Sequence, residues 1–469
     1  MKYTKFMIDE FSPVTIFNKL KEKFKNERIF LFESMINNSD GNFTYIVIGE
    51  KEKIVYKNRE TTYFDGNKET ILNKEPFKFL KEYYKKIDFE KFQKLKDEIG
   101  IGFIDGFIGY IGYDMVSEFE PVLKPFMRDL VDETDIPDFY MIRPKMIFGY
   151  SHKSTIATFI VNDKKFENEI DLIENYINST YTHIPLKKAT LLSEPKFVFP
   201  AQKFKKMVIE AKKMIRNGEI FQIVLSNRLK VKVKLDDFTF YRKLRSKNPS
   251  PYLYFLEFDD FSIIGSSPEV MVRLTDGMIL LRPIAGTRKR GKNLKRDIEL
   301  ENEMTNDTKE VAEHIMLVDL GRNDVGRVAK AGSVKVEELM RVERYSHVMH
   351  MVSDVVGELD TSKYDMFDLF KATFTAGTMT GSPKIRAMEL IAQYEGLKRG
   401  YYAGSIGYFG FDGNMDSAIT IRTAMKKGDE IIFQAGAGVV ADSKPELEFL
   451  EVKNKLGALV ATLKELSDA

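Results

Sequence analysis

Strand-like segments follow one another along this chain without a helix between each pair, and that order constrains the fold more than any other feature. Stretches rich in Ile, Val, Phe and Tyr stand at 29–33, 43–48 and 53–56, with turn residues over 38–41 between the first two. GFIGYIGY at 106–113 and a stretch at 146–150 continue the series. Strand-like runs recur at 219–229, 252–258, 262–265 and 278–282, and again at 403–411, 416–424 and 430–434. A parallel sheet needs a long crossover, usually helical, after every strand. Hairpin-like succession therefore predicts an α+β fold with large antiparallel sheets. Helical patterns are expected at 164–177, 201–217, 307–320, 384–394 and 445–464. A proline-marked connection suggests an N-terminal domain (1–185), a linker (186–199) and a second domain (200–469).

At 469 residues the chain is long enough for two or three cores. Lys plus Arg number 72 against 70 Asp plus Glu, and a net charge of +2 gives no footprint for nucleic acid or an anionic membrane. The absence of cysteine excludes disulfides, zinc–thiolate sites, iron–sulfur clusters and thiol nucleophiles. The first ten residues are charged and lack the apolar core of a signal peptide, and no apolar run is long enough to span a bilayer. A cytoplasmic enzyme is the expectation.

Two helices carry spaced carboxylates. Asp307 and Glu310 have capping-box spacing, with Gly321 as the expected helix stop, and Glu310 and Glu313 share a face. Ser443 and Glu446 open the last helix in the same way, Pro445 sits in its first turn, and Glu448, Glu451 and Lys455 fall on one stripe. Two such pairs suit a hard cation such as magnesium. They equally suit two solvated helix faces, which spacing alone favours. In 416–425, strand alternation sets Ala418, Thr420, Arg422 and Ala424 on one face. An arginine among small residues can grip a carboxylate or simply face water. Gly436, Ala437 and Gly438, between a strand and the last helix, either let backbone approach an anion or form a bulged hairpin. His347 and His350 lie in RYSHVMHMV, and a histidine near neutral pKa suits proton abstraction from carbon.

Taken in order, these segments resemble the chorismate-utilising enzymes, most closely the anthranilate synthase component I group. The resemblance rests on GEIFQIVLSNR (218–228), GSSPE (265–269), PIAGTRKRG (283–291), KEVAEHIMLVDLGRNDVGRV (309–328), YSHVMH (345–350) and GTMTGSPK (377–384). GYYAGSIGYF, SAITIRTA, QAGAG and ADSKPELEFLE follow. LFES (31–34) and NPSPYLYF (248–255) resemble the two strands of a tryptophan feedback site.

The resemblance implies a β-sandwich-like core flanked by helices. It also implies a lyase that converts chorismate and ammonia to anthranilate and pyruvate through an aminated intermediate, the first committed step of tryptophan biosynthesis. By the same likeness Glu313 and Glu451 hold Mg2+, with Glu310 and Glu448 supporting. The metal, the backbone of Gly436, Ala437 and Gly438, and Lys455 bind the ring carboxylate. Tyr402 and Arg422 bind the enolpyruvyl carboxylate, and Gly286, Thr287 and Thr378 line the ring. Glu269 protonates the leaving C4 hydroxyl and His350 removes the C2 proton. Glu33, Ser34, Pro251, Tyr252, Leu253 and Tyr408 would bind L-tryptophan. A glutaminase needs a cysteine nucleophile that this chain lacks, so the implied nitrogen source is ammonia, fed by a glutamine amidotransferase subunit in a hetero-oligomer.

Within the family, isochorismate and salicylate synthases carry a water-activating lysine where this chain has Gln222. Aminodeoxychorismate synthases commonly carry a lysine where it has Ala285. Both differences favour the anthranilate branch. Some folate-pathway relatives also lack the second lysine, so aminodeoxychorismate synthase stands as the alternative. A non-catalytic tryptophan-sensing subunit is the alternative of another class, and it would have lost Glu313, Glu451 or His350. Phe32 and Leu253 depart from the usual leucine and methionine, which bears on the strength of feedback.

Overall fold

Apolar residues at alternate positions on two faces make each central strand bury both sides. In the computed structural model, which describes residues 1–34, 43–181, 183–345 and 348–468, this is seen in Tyr252–Glu257. Its Tyr254 and Leu256 join one apolar core while Leu253 and Phe255 join another. Phe30 against Ile29 and Leu31, and Val47 against Ile46 and Ile48, divide in the same way.

The first core lies between two antiparallel ribbons that branch from strand Phe139–Ser151. One ribbon runs through Phe43–Lys57, Ile29–Glu33, Tyr252–Glu257, Phe261–Ser267, Thr423–Lys427 and Glu430–Val439 to Gln222–Lys234. The other runs through Gly106–Ile111, Ser405–Gly410, Met415–Ile419, Val270–Thr275 and Met278–Leu281 to Val348–Glu358, against which Ile284–Lys289 and Lys335–Arg344 pair. The expected α+β sandwich-like architecture is present. In both ribbons strands from before the expected linker pair directly with strands from after it, Leu253 with Glu33 in one and Ile406 with Tyr110 in the other.

The second core lies under helices. Ala201–Arg216 buries Phe204, Met207, Val208 and Ala211 at helical spacing, and Pro445–Asp468 buries Phe449, Val452, Leu456, Leu459 and Leu463. Helices Pro76–Tyr84 and Met366–Thr373 meet through Phe77, whose ring packs on Phe119, Phe139, Phe367, Phe370 and Phe409. Such pairs contribute about 0.5–1.5 kcal/mol each beyond area burial.

Several expected bounds shift. The strands expected at 43–48 and 53–56 are one, Phe43–Lys57, with a register shift between Glu50 and Glu52. The helix expected at 164–177 is a 3-10 turn, Lys164–Ile170, followed by the short helix Ile173–Ile177. Gly321 does not stop its helix. Thr308–Gly326 runs through it, since Gly321 does not take the left-handed conformation of a glycine helix stop. The expected turn at 38–41 lies outside the described residues. Among the described residues no helix is long and apolar enough to cross a membrane.

Candidate active site

Glu269 is fixed from both sides of the chain. Its N–H donates to Ser267 Oγ at 3.3 Å, and its carbonyl accepts from Ile419 N at 3.0 Å. Its side chain is 7 % exposed, and the Thr378 hydroxyl donates to Oε1 at 2.7 Å. Burial pushes the carboxyl up to about 7, against the opposing pull of the Thr378 bond and of the charges on Arg422 and Lys455. Thr378 reaches it from the 3-10 turn Gly377–Met379. Gly377 has no room for a Cβ, which would fall 2.1 Å from Leu320 Cδ2.

His350 stands on strand Val348–Glu358, opposite Thr287. A register shift between Ala285 and Thr287 places Gly286, at φ +73°, where its carbonyl faces His350 Nδ1 at 3.4 Å, and Thr287 Oγ1 lies 2.9 Å from the same nitrogen. A carbonyl only accepts, so this contact favours a proton on Nδ1 and leaves Nε2 as the basic nitrogen. Burial lowers the imidazole below its ordinary value, as does the Arg422 charge, while the Gly286 contact and Glu343 oppose them. The net lowering favours the neutral ring. His347 lies outside the described residues.

Arg422 is not on the continuous strand that alternation suggested. Met415–Ile419 and Thr423–Lys427 are separate strands, and Arg422 sits in the break at φ +51°, a left-handed conformation that redirects the side chain. Burial lowers its pKa, and among the described residues it makes no ion pair or side-chain hydrogen bond. Tyr402, Glu269 and Glu451 are the groups whose charge it feels. Tyr402 is buried, accepts a hydrogen bond from the Gly436 backbone, and is pushed upward mainly by burial.

The 434–438 segment is strand, not a connection. Glu430–Val439 carries Gly436, Ala437 and Gly438 opposite Ser226, Leu225 and Val224. The glycines serve close packing. A Cβ on Gly436 would lie 2.9 Å from the Tyr402 hydroxyl, and one on Gly438 would lie 2.8 Å from Gln222 Nε2.

The two carboxylate helices converge beside these glycines. Glu313 accepts from Gln222 Nε2 at 2.8 Å, and its pKa is raised by burial and by Glu310 and Glu451. The Gln222 Oε1 is buried without a hydrogen-bond partner among the described residues. Glu451 pairs with Lys455 at 2.7 Å, and Lys455 also donates to the Gly436 carbonyl at 3.0 Å. Glu310 is held by Arg288 at 2.9 Å, and Glu448 is raised by burial and by Glu451. Asp307 caps its helix by accepting from Lys309 N and Glu310 N, while the Glu310 side chain turns to Arg288. No group of three side chains among the described residues forms a ready metal cluster. The crowded oxygen donors of Glu313 and Glu451 nevertheless fit a hard cation that keeps several waters.

A second cavity, of about 470 Å³, lies between the two ribbons. Its walls include all six residues expected for feedback: Glu33, Ser34, Pro251, Tyr252, Leu253 and Tyr408. Ser34 Oγ is buried without a hydrogen-bond partner among the described residues. The Glu33 carboxylate is held by Arg245, at 2.5 and 2.7 Å, and by the Tyr241 hydroxyl at 2.9 Å. Arg245 and Tyr241 escaped sequence reasoning. Their only signal was the four-residue spacing that puts both on one face of helix Asp237–Lys247.

Residues 27–461 match a family model described as chorismate binding enzyme. Anthranilate synthase component 1 of Aquifex aeolicus is 42% identical, over 98% of this chain and 94% of that protein. The protein of the same name from Bacillus subtilis is 37% identical, over 99% and 92%. Among solved structures, anthranilate synthase component I from Streptococcus pneumoniae superposes with a TM-score of 0.79 at 32% identity, covering 97% of this chain and 98% of that one. The menaquinone-specific isochorismate synthase of Escherichia coli shares the fold, with a TM-score of 0.71 at 18% identity over 98% and 94% of the two chains.

Proposed function

Because this chain belongs to the anthranilate synthase component 1 family of chorismate-binding enzymes, we propose how its residues divide the conversion of chorismate and ammonia to anthranilate and pyruvate. The observation that carries this reading is the meeting of Glu269, His350 and Arg422. A carboxyl in the break between strands Phe261–Ser267 and Val270–Thr275, raised by burial, and an imidazole on Val348–Glu358, lowered by it, both feel the charge of Arg422, which has no ion pair among the described residues. Arg422, with the Tyr402 hydroxyl, takes the enolpyruvyl carboxylate. The backbone of Gly436, Ala437 and Gly438, with Lys455, takes the ring carboxylate. Gly286, Thr287 and Thr378 line the ring between them.

Glu269 then gives its proton to the C4 hydroxyl, which leaves as water while ammonia bonds to C2. Burial supports this role, since it raises the carboxyl to about 7, where a large fraction is still protonated near neutral pH. His350 Nε2 removes the C2 proton of the aminated intermediate. The C3–oxygen bond breaks, pyruvate departs and the ring becomes aromatic. Glu313 and Glu451 would hold magnesium, with Glu310 and Glu448 holding them in place. When bound, the ion supplies positive charge that draws electron density from the ring through its carboxylate.

The 470 Å³ cavity is read as the L-tryptophan feedback site, supported by its size, its aromatic walls and the Ser34 hydroxyl, which has no partner among the described residues. A glutamine amidotransferase subunit would supply ammonia in the cell.

The test is direct. Purified chain with chorismate, an ammonium salt and magnesium gives fluorescent anthranilate and one pyruvate per turnover. Accumulation of a non-aromatic product aminated at C4 rather than C2, with its enolpyruvyl group intact, would instead assign the chain to aminodeoxychorismate synthesis.

A further inference from the structure

The feedback cavity and the active site share one wall, a single side chain thick. Pro268 and Val270 line the cavity, while Glu269 between them bonds Thr378 on the other side. Ile284 lines the cavity, and just beyond it on the same strand Gly286 and Thr287 hold His350 Nδ1. Tyr345 touches both spaces at once. It lines the cavity, and its ring meets the His350 ring at a centroid distance of 5.7 Å and an interplanar angle of 61°.

Tyr345 is tied down through its hydroxyl and its backbone. Its hydroxyl donates to Glu343 Oε2 at 2.6 Å, and Glu343 sits opposite His350 in the strand ladder, itself held by Arg341 at 2.6 Å. Its backbone N–H donates to the Val348 carbonyl at 2.8 Å, and its own carbonyl accepts from Arg290 Nη1 at 2.6 Å. The ring therefore has one defined seat, between the cavity and the imidazole. Anything that fills the cavity and moves that ring also removes a wall from His350.

We propose that Tyr345 is a positioning residue that sets the orientation of His350 and transmits occupancy of the feedback cavity to it. The inference rests on reading the cavity as the tryptophan site and His350 as the base. A ligand shifts an equilibrium only by its difference in affinity between two states. Here those states are two seats of the Tyr345 ring, one aligned with a productive His350 and one not. A displacement of about 1 Å at a reacting group can cost roughly 10²-fold in rate.

Tyr345→Leu keeps an apolar side chain but loses the ring edge and the hydroxyl, while Tyr345→Phe keeps the ring. For the leucine variant, with circular dichroism matching wild type, kcat should fall by about 10- to 100-fold with KM for chorismate unchanged. Phenylalanine should restore most of that loss. At tryptophan concentrations shown by calorimetry to saturate the leucine variant, its residual activity should be only weakly inhibited, whereas wild type and the phenylalanine variant are shut off. Unchanged kcat in the leucine variant would refute the positioning role. Full inhibition of that variant at saturating tryptophan would refute the coupling. Wild type that binds no tryptophan would instead overturn the reading of the cavity and the coupling with it, and kcat alone would then decide the positioning role.

Discussion

Replacing Glu269 by glutamine separates the cost of burying this carboxyl from its catalytic use. The native carboxyl is raised from an ordinary 4.5 to about 7, with burial as the leading cause. Its folded value lies above its unfolded value, so the stability it contributes is complete below pH 4.5 and is lost as pH rises through 7. Each pKa unit corresponds to 1.36 kcal/mol, which makes the loss roughly 3 kcal/mol by pH 8.5. Glutamine has the same shape, still accepts from Thr378 and cannot ionise. For 469 residues, an unfolding entropy of about 2.1 cal/mol/K per residue converts roughly 3 kcal/mol into a Tm difference of about 3 °C. Thermal melts should therefore nearly coincide at pH 5, with the glutamine variant about 3 °C more stable at pH 8.5. Its kcat should be about 10²–10⁴-fold lower, and wild-type kcat/KM should decline above about pH 7 as the acid of the free enzyme ionises. A Tm offset that does not change with pH would refute the claim that Glu269 is held neutral by burial.

Glu313→Gln and Glu451→Gln should each abolish activity at ordinary magnesium concentrations while leaving the melt intact; full wild-type activity in excess chelator would remove the metal from the mechanism. His350→Met should slow the second step by about 10²–10⁴ and release the aminated, non-aromatic intermediate, detected by chromatography, whereas His347 variants should still make anthranilate. Ser34→Arg should fill the feedback cavity and relieve tryptophan inhibition at unchanged basal turnover; calorimetry showing no tryptophan binding to wild type would defeat this. Alone, the chain should make anthranilate from ammonium but not from glutamine, since it has no cysteine to act as a glutaminase nucleophile.

Periodicity made the sheets legible, and it failed where the chain does chemistry or bends. Strand 29–33 shows at its true length because its apolar run is continuous. Phe43–Lys57 looks like two strands because the polar run at 50–53 crosses its register shift. There Glu52 is buried against Arg143, Tyr63 and Tyr83, a polar knot that hydrophobic patterning cannot see. Arg422 and Gly286 both sit at positive φ beside breaks or bulges, which alternation alone does not predict. Gly436 and Gly438 suggest a loop from sequence, yet they belong to a strand whose neighbours are Tyr402 and Gln222 from distant segments. Such long-range crowding has no local signal. The site was legible only as an ordered set of family motifs; Arg245 lay outside that set, and Tyr345 lay inside the motif at 345–350 with no role read for it.

The protonation states around Arg422 explain why these irregularities are tolerated. A guanidinium with no ion pair among the described residues, a carboxyl raised by burial and an imidazole lowered by it would be a poor arrangement for stability alone. They suit a ligand that brings its own negative charge. At an effective dielectric constant near 20, a unit charge 4 Å from Arg422 gains about 4 kcal/mol, which offsets the cost of keeping that cation dry. An ionised Glu269 would claim the same attraction and repel the ligand, so burying it as the neutral acid leaves Arg422 available. The bound anion in turn opposes the pull of Arg422 on Glu269 and favours the protonated carboxyl. Under the proposed roles, substrate binding and the readiness of the acid would reinforce each other through Arg422, which sits in a left-handed break between two strands.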